Sequence, residues 1–391
     1  MAVLNSIADS HEEMRQWRHA LHQHPETSYE EIWTSDFIAA QLTGFGIEIH
    51  RGMGKTGVVG ILKGQGDSKA AMGLRADMDG LPMTEANDFA HKSRQEGRMH
   101  ACGHDGHMAM LLGAAKYLAQ TRQFDGTVYF IFQPAEEGGA GAKAMMDDGL
   151  FVEFEMDNVW GMHNWPGLAA GKVAVHDNAC MASADHFNIV ITGRGGHAAM
   201  PHQSSDPIIA SAALVQNLQS IVARTIDPLD AAVVSITAMQ GGSAYNVIPD
   251  AVELRGTARA LRADTRAHLE TKIRDMTQQM AQAYGVEAQI GWRAGYPPTV
   301  NHIDESERAI NVATSIVGDS NIVRNPPASM GAEDFAYMLE ARKGSYIWLG
   351  AGEAVAGKML HNTSYDFNDE ILPIGASYWA KLVESEMPLN R

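Results

Sequence analysis

Nine consecutive residues, Met99-His-Ala-Cys-Gly-His-Asp-Gly-His107, hold three histidines, a cysteine and an aspartate. Thiolate, imidazole and carboxylate gathered in one stretch suit a borderline-soft divalent cation such as zinc, with manganese, nickel or cobalt also compatible. Cys102 and His104 are two residues apart, so in extended backbone they project to the same side. His100 and His107 read as supporting or surface residues. A second signal is Glu136-Glu137 within Gln133-Pro-Ala-Glu-Glu-Gly-Gly139. Adjacent side chains at a strand-to-loop corner diverge, so one can ligate a cation while the other faces substrate. Metal-assisted hydrolysis requires that division: a ligand, and a non-ligating carboxylate that takes the proton from water. The flanking Pro134 and Gly138-Gly139 mark a special turn rather than a solvated acidic pair.

These residues need elements that bring them together. Short apolar runs at Ala70 to Leu74, Thr127 to Phe132, Asn158 to Met162 and Tyr346 to Leu349 read as strands. They lead into Arg75-Ala-Asp77-Met-Asp79-Gly-Leu-Pro82, into Glu136-Glu137, into His163, and through a Gly-rich loop into His361. In an open parallel sheet the carboxyl ends of the strands share one edge, where ligands bind. His163 and His361 carry little weight alone and gain it from that convergence. Helical patterns run from Leu4 to His22, through Ile32, Phe37, Ile38 and Leu42, and from Met108 to Leu118, with a further strand at Val58 to Leu62. This alternation predicts an α/β fold with a mostly parallel sheet.

Between about Asp185 and Trp292 the order becomes β-α-β-β-α-β, the pattern of a ferredoxin-like module. Its first helix carries Ile209, Ala213, Leu218, Ile221 and Val222 on one face, and its second carries Leu269, Ile273, Met276 and Met280. Its last strand alternates Val286, Ala288, Ile290 and Trp292 with Glu287, Gln289 and Gly291. The predicted organisation is a discontinuous α/β domain over 1–183 and 295–391, interrupted by an inserted domain over 184–294. Charge marks the same boundary. The whole chain carries 30 Lys+Arg against 47 Asp+Glu, a net charge of −17. Asp185 to Arg293 holds 9 and 10 of these, so nearly all of the excess lies outside the insert. Eight of those nine cations are arginines, the side chain that grips a carboxylate bidentately.

The length of 391 residues fits two domains, and 45% hydrophobic residues suffice for buried cores. The acidity disfavours nucleic acid and anionic membrane surfaces as partners. Two distant cysteines give no disulfide framework. The N-terminus lacks the basic region of a signal peptide, and no apolar run reaches the length of a spanning helix. The expectation is a soluble cytoplasmic enzyme.

Seven motifs, in order and across the whole chain, carry a resemblance. They are His22-Gln-His-Pro-Glu26, Arg75-Ala-Asp-Met-Asp-Gly-Leu-Pro82, Met99-His-Ala-Cys-Gly-His-Asp-Gly-His107, Gln133-Pro-Ala-Glu-Glu-Gly138, Gly195-Gly-His-Ala-Ala-Met-Pro-His202, Asn246-Val-Ile-Pro249 and Met330-Gly-Ala-Glu-Asp-Phe335. Together they resemble the hippurate hydrolase group, which includes indole-acetyl-amino-acid hydrolases and N-acetyl-diaminopimelate deacetylases, within the aminoacylase/carboxypeptidase-G metallopeptidase superfamily. The resemblance implies a zinc-peptidase-like catalytic domain whose inserted domain is a lid and dimerisation module. It implies two divalent metal ions per chain, held by Cys102, His104, Glu137, His163 and His361, with Glu136 as general base. His197 resembles the histidine that reaches a second subunit's site and steadies the oxyanion. Asn246 and Arg259 match positions that hold a substrate carboxylate. The chain departs from the wider superfamily at Asp77, where a ligating histidine usually stands. Asp77, Asp79 and Asp105 are therefore candidates for orienting ligands rather than for ligating.

The implied reaction is cleavage of the amide bond of N-acyl amino acids, with an N-acetyl-diaminopimelate-type deacetylase or a dipeptidase as alternatives. The implied partners are a small-molecule substrate and a second copy of the chain. Two readings from other classes compete. A thiol hydrolase would make Cys102 a nucleophile and His104 its base, but it leaves Glu136-Glu137 without a task. A non-catalytic metal-binding protein would need the ligands but no spare carboxylate beside them.

Overall fold

Apolar runs and helical stripes alternate along the first 180 residues, and in the computed structural model, which describes residues 1–389, they form a sheet clothed by helices. The chain opens with α1 (Asn5–Asp9), α2 (His11–Gln23) and α3 (Ile32–Gly44). There follow β1 (Glu48–Met53), β2 (Gly57–Lys63), β3 (Ala71–Asp77), α4 (His104–Thr121) and β4 (Thr127–Gln133). The segment ends with α5 (Gly141–Asp147), α6 (Leu150–Glu153), β5 (Asn158–Pro166) and β6 (Val173–Val175).

The inserted part then contributes β7 (Ala179–Met181), β8 (Asp185–Thr192), β9 (Gly196–His197), α7 (Pro207–Thr225), β10 (Ala232–Gln240), β11 (Val247–Ile248), β12 (Ala251–Ala260), α8 (Ala263–Tyr284) and β13 (Glu287–Arg293). After β14 (Thr299–Val300) come α9 (Ile303–Val317), β15 (Ile322–Arg324), α10 (Ala336–Ala341), β16 (Lys343–Gly352) and α11 (Leu372–Glu386).

The eight-stranded sheet runs β1-β2-β4-β3-β5-β16-β6-β15. Its centre, β4-β3-β5-β16, is parallel, and β2 and β6 flank it antiparallel. Central strands buried on both faces read as continuous apolar runs, as β3 and β4 do. Helix α4 packs against α2, α11 and β3 and is buried almost all round, hence its run of Met, Ala, Leu and Gly rather than one apolar stripe. No helix among the described residues is long and apolar enough to cross a membrane.

The chain separates into two compact units. One comprises Met1–Asn178, Val300–Pro327 and the chain from Asp334 onward; the other comprises Ala179–Thr299 with Ala328–Glu333. The second unit's sheet runs β10-β12-β8-β13, entirely antiparallel, with α7 and α8 packed on the sheet. That is the strand order of a ferredoxin-like module. Its segment Ala328–Glu333, which the sequence placed with the α/β domain, is tied in by backbone. Ala182 N donates to the carbonyls of Ser329 (3.1 Å) and Gly331 (2.8 Å), and Arg259 donates to Met330 O at 3.0 Å.

Three local expectations are corrected. The helix predicted from Leu4 to His22 is broken at Ser10, whose hydroxyl turns back to the Ser6 carbonyl at 3.0 Å. On α7 the buried ridge is Ala210, Leu214, Leu218 and Ile221, while Ile209 is 55% exposed. Ile208 and Ile209 are adjacent on a helix that starts at Pro207, so both cannot face the sheet, and Ile208 takes the inward position. The backbone at Cys102-Gly103 is not extended: Gly103 is left-handed (φ 95°) and immediately precedes α4. A side chain there would meet Asn164 Oδ1 at 2.2 Å, so the bend requires glycine.

Candidate metal centre

Loops at the carboxyl ends of β3, β4 and β16, together with β5 and the first turn of α4, assemble the acid and imidazole residues. Ligand atoms of Cys102, His104 and His163 all lie within 4.8 Å of one another; so do those of Cys102, Glu137 and His361, and those of His104, Glu136 and Glu137. These overlapping triads join the six residues into one cluster. Cys102 Sγ is 3.3 Å from His163 Nε2. His361 Nε2 is 3.1 Å from Glu137 Oε1. His361 follows β16 in a left-handed conformation (φ 60°), and its N–H donates to the Ala101 carbonyl at 2.8 Å. That bond ties a residue 259 positions downstream to the backbone beside Cys102.

The imidazoles are oriented by what their other nitrogens do. His104 Nδ1 donates to the Asp79 carbonyl at 2.8 Å, and His163 Nδ1 donates to the Asn164 carbonyl at 2.7 Å. Each Nε2 is thereby the nitrogen left available to a cation. His104 Nε2 is buried without a hydrogen-bond partner, with Asp77 Oδ2 3.6 Å away. Glu137 Oε1 is likewise buried, with His361 Nε2 its neighbour.

Electrostatics supplies the test of fit for a cation. Burial opposes a charge on His104, yet Asp77, Asp79 and Glu137 outweigh it and raise the ring to about 10. Burial pushes the Cys102 thiol well up, and the charges of Glu137 and Glu136 push it further. Around His104 and Cys102, where a proton is drawn onto the imidazole and a thiolate is disfavoured, negative charge is in excess, whereas burial and the neighbouring His107 hold His163 well below its ordinary value. A divalent cation would balance that excess and would let Cys102 ionise. The donor set of one sulfur, three imidazoles and a carboxylate suits such an ion.

The aspartates divide the supporting work. Asp77 receives Arg75 Nη1 at 2.8 Å and His107 Nδ1 at 2.6 Å. His107 Nε2 is 2.7 Å from Asn164 Oδ1, so both of its nitrogens are engaged although it falls near Asp77 and His104. Asp79 accepts the backbone N–H of Glu136 with one carboxylate oxygen and that of Glu137 with the other, each at 3.0 Å. Asp105 turns away from the six. It lies 2.8 Å from His22 Nδ1 and 3.7 Å from Arg18, in a buried group that includes Glu85. The His22-Gln-His-Pro motif thus serves a neighbouring charge network. His100 is fully buried, and its ring nitrogens have no hydrogen-bond partner.

Sequence reasoning missed three contributors. Asp334 takes Gln133 Nε2 at 2.8 Å, Arg75 Nη2 at 3.0 Å and the Ala142 N–H at 2.9 Å. Asn164 couples His107 to Tyr365, whose hydroxyl is 2.7 Å from Asn164 Nδ2. Glu31 accepts the Ala135 N–H at 2.9 Å. Only Asp334 had a sequence signal, as part of Met330-Gly-Ala-Glu-Asp-Phe335.

His197, Asn246 and Arg259 belong to the inserted unit. His197 is exposed on the β9/β11 ribbon, where it pairs with Val247, and the Asn246 carbonyl accepts the Ala198 N–H at 3.0 Å. Those two are therefore neighbours. Arg259 lies on β12, half-buried, opposite Val233 of β10.

Residues 73–385 match the model of peptidase family M20/M25/M40. The hippurate hydrolase of Campylobacter jejuni is 43% identical over 98% of both chains. An IAA-amino acid hydrolase of Arabidopsis thaliana is 39% identical over 93% of this chain and 83% of its own length. Among solved structures, the YXEP protein of Bacillus subtilis, described as a dinuclear metal-binding peptidase, superposes with a TM-score of 0.85 at 33% identity, over 97% of this chain and 99% of that one. With that family match over most of its length and a cluster of donors suited to a divalent cation, the chain belongs to peptidase family M20/M25/M40 and is a metal-dependent amidohydrolase.

Proposed function

We propose that the protein hydrolyses the amide bond of N-acyl amino acids, hippurate-like or other aryl-acyl and N-acetyl compounds, releasing a carboxylate and a free amino acid. The observation that carries this reading is Glu136. It is only 6% exposed, it sits within reach of His104 and Glu137, and the remaining donors suffice to hold metal without it. In this reading Cys102, His104, Glu137, His163 and His361 hold two divalent ions, zinc or manganese. When bound, such ions lower the pKa of water and polarise a carbonyl. Glu136 takes the proton from the attacking water and returns it to the departing amine nitrogen. Asp79 fixes the backbone of both glutamates while its carbonyl holds the His104 ring. Asp77 holds His107.

His197 is proposed to steady the developing oxyanion, and Asn246 and Arg259 to hold the free carboxylate of the amino acid. The inserted unit is proposed as the lid and as the contact to a second copy of the chain in the cytoplasm. A thiol hydrolase fits less well, because the environment of Cys102 disfavours the thiolate a nucleophile must be.

The test is a screen of hippurate, acetyl-methionine, acetyl-diaminopimelate and indole-acetyl conjugates with metal-reconstituted protein. Turnover of one or more acyl amino acids that a chelator abolishes is the expected result. Inertness toward all of them, with dipeptides cleaved, would replace this reading by a dipeptidase.

A further inference from the structure

Glu31 precedes the first turn of α3, yet its side chain does not cap that helix. It is fully buried and turned toward the loop after β4. Its Oε1 accepts the backbone N–H groups of Ala135 at 2.9 Å and Tyr29 at 3.0 Å, and its Oε2 accepts the Thr56 hydroxyl at 2.7 Å. All three donors are uncharged. A carboxyl buried this way belongs where the backbone it holds could not keep its shape unaided.

That backbone is Pro134-Ala-Glu-Glu137. Ala135 is left-handed (φ 55°), a conformation that a residue with a Cβ seldom adopts, and Ala140 repeats it (φ 56°) five residues on. The turn is then gripped at successive amides. Ala135 N–H goes to Glu31, while Glu136 N–H and Glu137 N–H go to the two oxygens of Asp79. The segment around Glu31 adds two bonds of its own. Tyr29 OH donates to the Gly139 carbonyl at 2.6 Å, and Ser28 Oγ lies 3.4 Å from the Glu137 carbonyl. Burial raises the Glu31 carboxyl to about 7, with the Thr56 hydrogen bond opposing the shift.

We infer that Glu31 is a positioning residue for the reaction: by holding Ala135 in its left-handed conformation it aims the Glu136 carboxylate, while Asp79 fixes the backbone of the ligating Glu137. The inference rests on the reading of Glu136 as general base. It acts through backbone geometry, so it affects the rate of the chemical step more than the binding of substrate. Replacing Glu31 lets the corner relax and displaces Glu136 from the proton it must take.

The test compares Glu31→Ala, Glu31→Gln and Glu136→Gln in protein reconstituted with zinc or manganese. The readouts are metal content, melting temperature without metal, and kcat and KM on an acyl amino acid that the unaltered protein cleaves. Glu31→Ala is expected to lower kcat by about ten- to a hundredfold with KM changed less than about threefold and metal retained. Glu31→Gln is expected to restore most of kcat, since its amide oxygen still accepts the Ala135 N–H. Unchanged kcat in Glu31→Ala overturns the inference, as do equal losses in both variants. Should Glu31→Ala fail to fold, Glu31→Asp, one methylene shorter, is expected to lose kcat partially at unchanged KM, and a normal kcat there overturns it. Normal turnover by Glu136→Gln would remove the reading beneath the inference; an inactive Glu136→Gln beside a fully active Glu31→Ala sinks the inference alone.

Discussion

His104 donates its Nδ1 proton to the main-chain carbonyl of Asp79 at 2.8 Å. One residue thus orients an imidazole with its carbonyl and the Glu136-Glu137 corner with its carboxylate. The His104 ring and the main chain at Glu136 and Glu137 are thereby tied to the same residue by hydrogen bonds. Asp79→Asn keeps the carbonyl but offers only one acceptor oxygen to the two amides. It is expected to lose about 10-fold or more in kcat, with the loss of a charge-assisted bond on the order of 1.5–3 kcal/mol. Metal titration alongside kinetics would show whether the ligand set survives the change.

Replacing Glu136 by glutamine retains shape and removes the proposed proton acceptor. Metal content is expected to stay at the level of the unaltered protein while kcat falls by about 10²–10⁴-fold. Elemental analysis and steady-state rates on the same preparation check this, and a normal rate takes Glu136 out of the mechanism.

Chelation is expected to abolish activity, and re-addition of a divalent ion to restore it, with about two ions bound per chain at saturation. Cys102→Ala should lose metal and activity together if Cys102 ligates as proposed, because burial and the nearby glutamates disfavour its thiolate without a cation. Full activity with a single tightly bound ion would count against a dinuclear site.

For the inserted unit, Arg259→Ala is expected to raise KM for acyl amino acids about ten- to a hundredfold, the size of one charge-assisted contact. His197→Ala should instead lower kcat, since an oxyanion partner matters only in the transition state. Mixing inactive His197→Ala with inactive Glu136→Gln protein should recover part of the activity if His197 serves a second copy's site. Absence of recovery after verified subunit exchange would end that assignment and leave the metal chemistry untouched.

The buried His22 gives a pH signature. Burial lowers its affinity for a proton, but hydrogen bonds to Asp105 and Glu85 dominate and raise it from 6.5 to about 9. The folded protein therefore holds a proton that the unfolded chain releases. The stabilisation is complete below about pH 6.5 and is lost as pH rises through about 9, amounting to on the order of 3 kcal/mol. Melting temperature should fall across that window. In His22→Gln the curve should start lower and run flatter, and a slope equal to that of the unaltered protein would show that other groups set it.

What the sequence revealed and what it hid follow one physical line. The central strands were legible because burial on both faces forces continuous apolar runs, as in β3 and β4. The ferredoxin-like insert was legible because its strands and helices each bury one face, as the alternation Ala288, Ile290, Trp292 shows. Strands β6 and β15 are three residues long, too short to show a pattern even though β6 is buried throughout. Residue types marked Cys102, His104 and the glutamate pair as chemistry. Glu31 stayed hidden because it acts through the backbone: it receives the main-chain amide of Ala135, and a main-chain amide carries no mark of residue type. The left-handed Ala135 was invisible for that reason, since nothing about alanine announces it.

Strand β16 lies between β5 and β6 in the sheet, with Ile347 opposite Met162, although 185 residues separate the two in sequence. During synthesis, β5 must therefore wait at an open sheet edge until most of the chain has left the ribosome. The insert's four strands, complete at Arg293, can pair before that. A message truncated anywhere before His361 would give a chain that lacks one donor of the cluster, and one truncated before Lys343 would also expose the β5 edge. An unpaired, apolar edge of that kind invites aggregation. The order in which the strands are made thus leaves incomplete copies with an open sheet edge and an unfinished donor cluster at once.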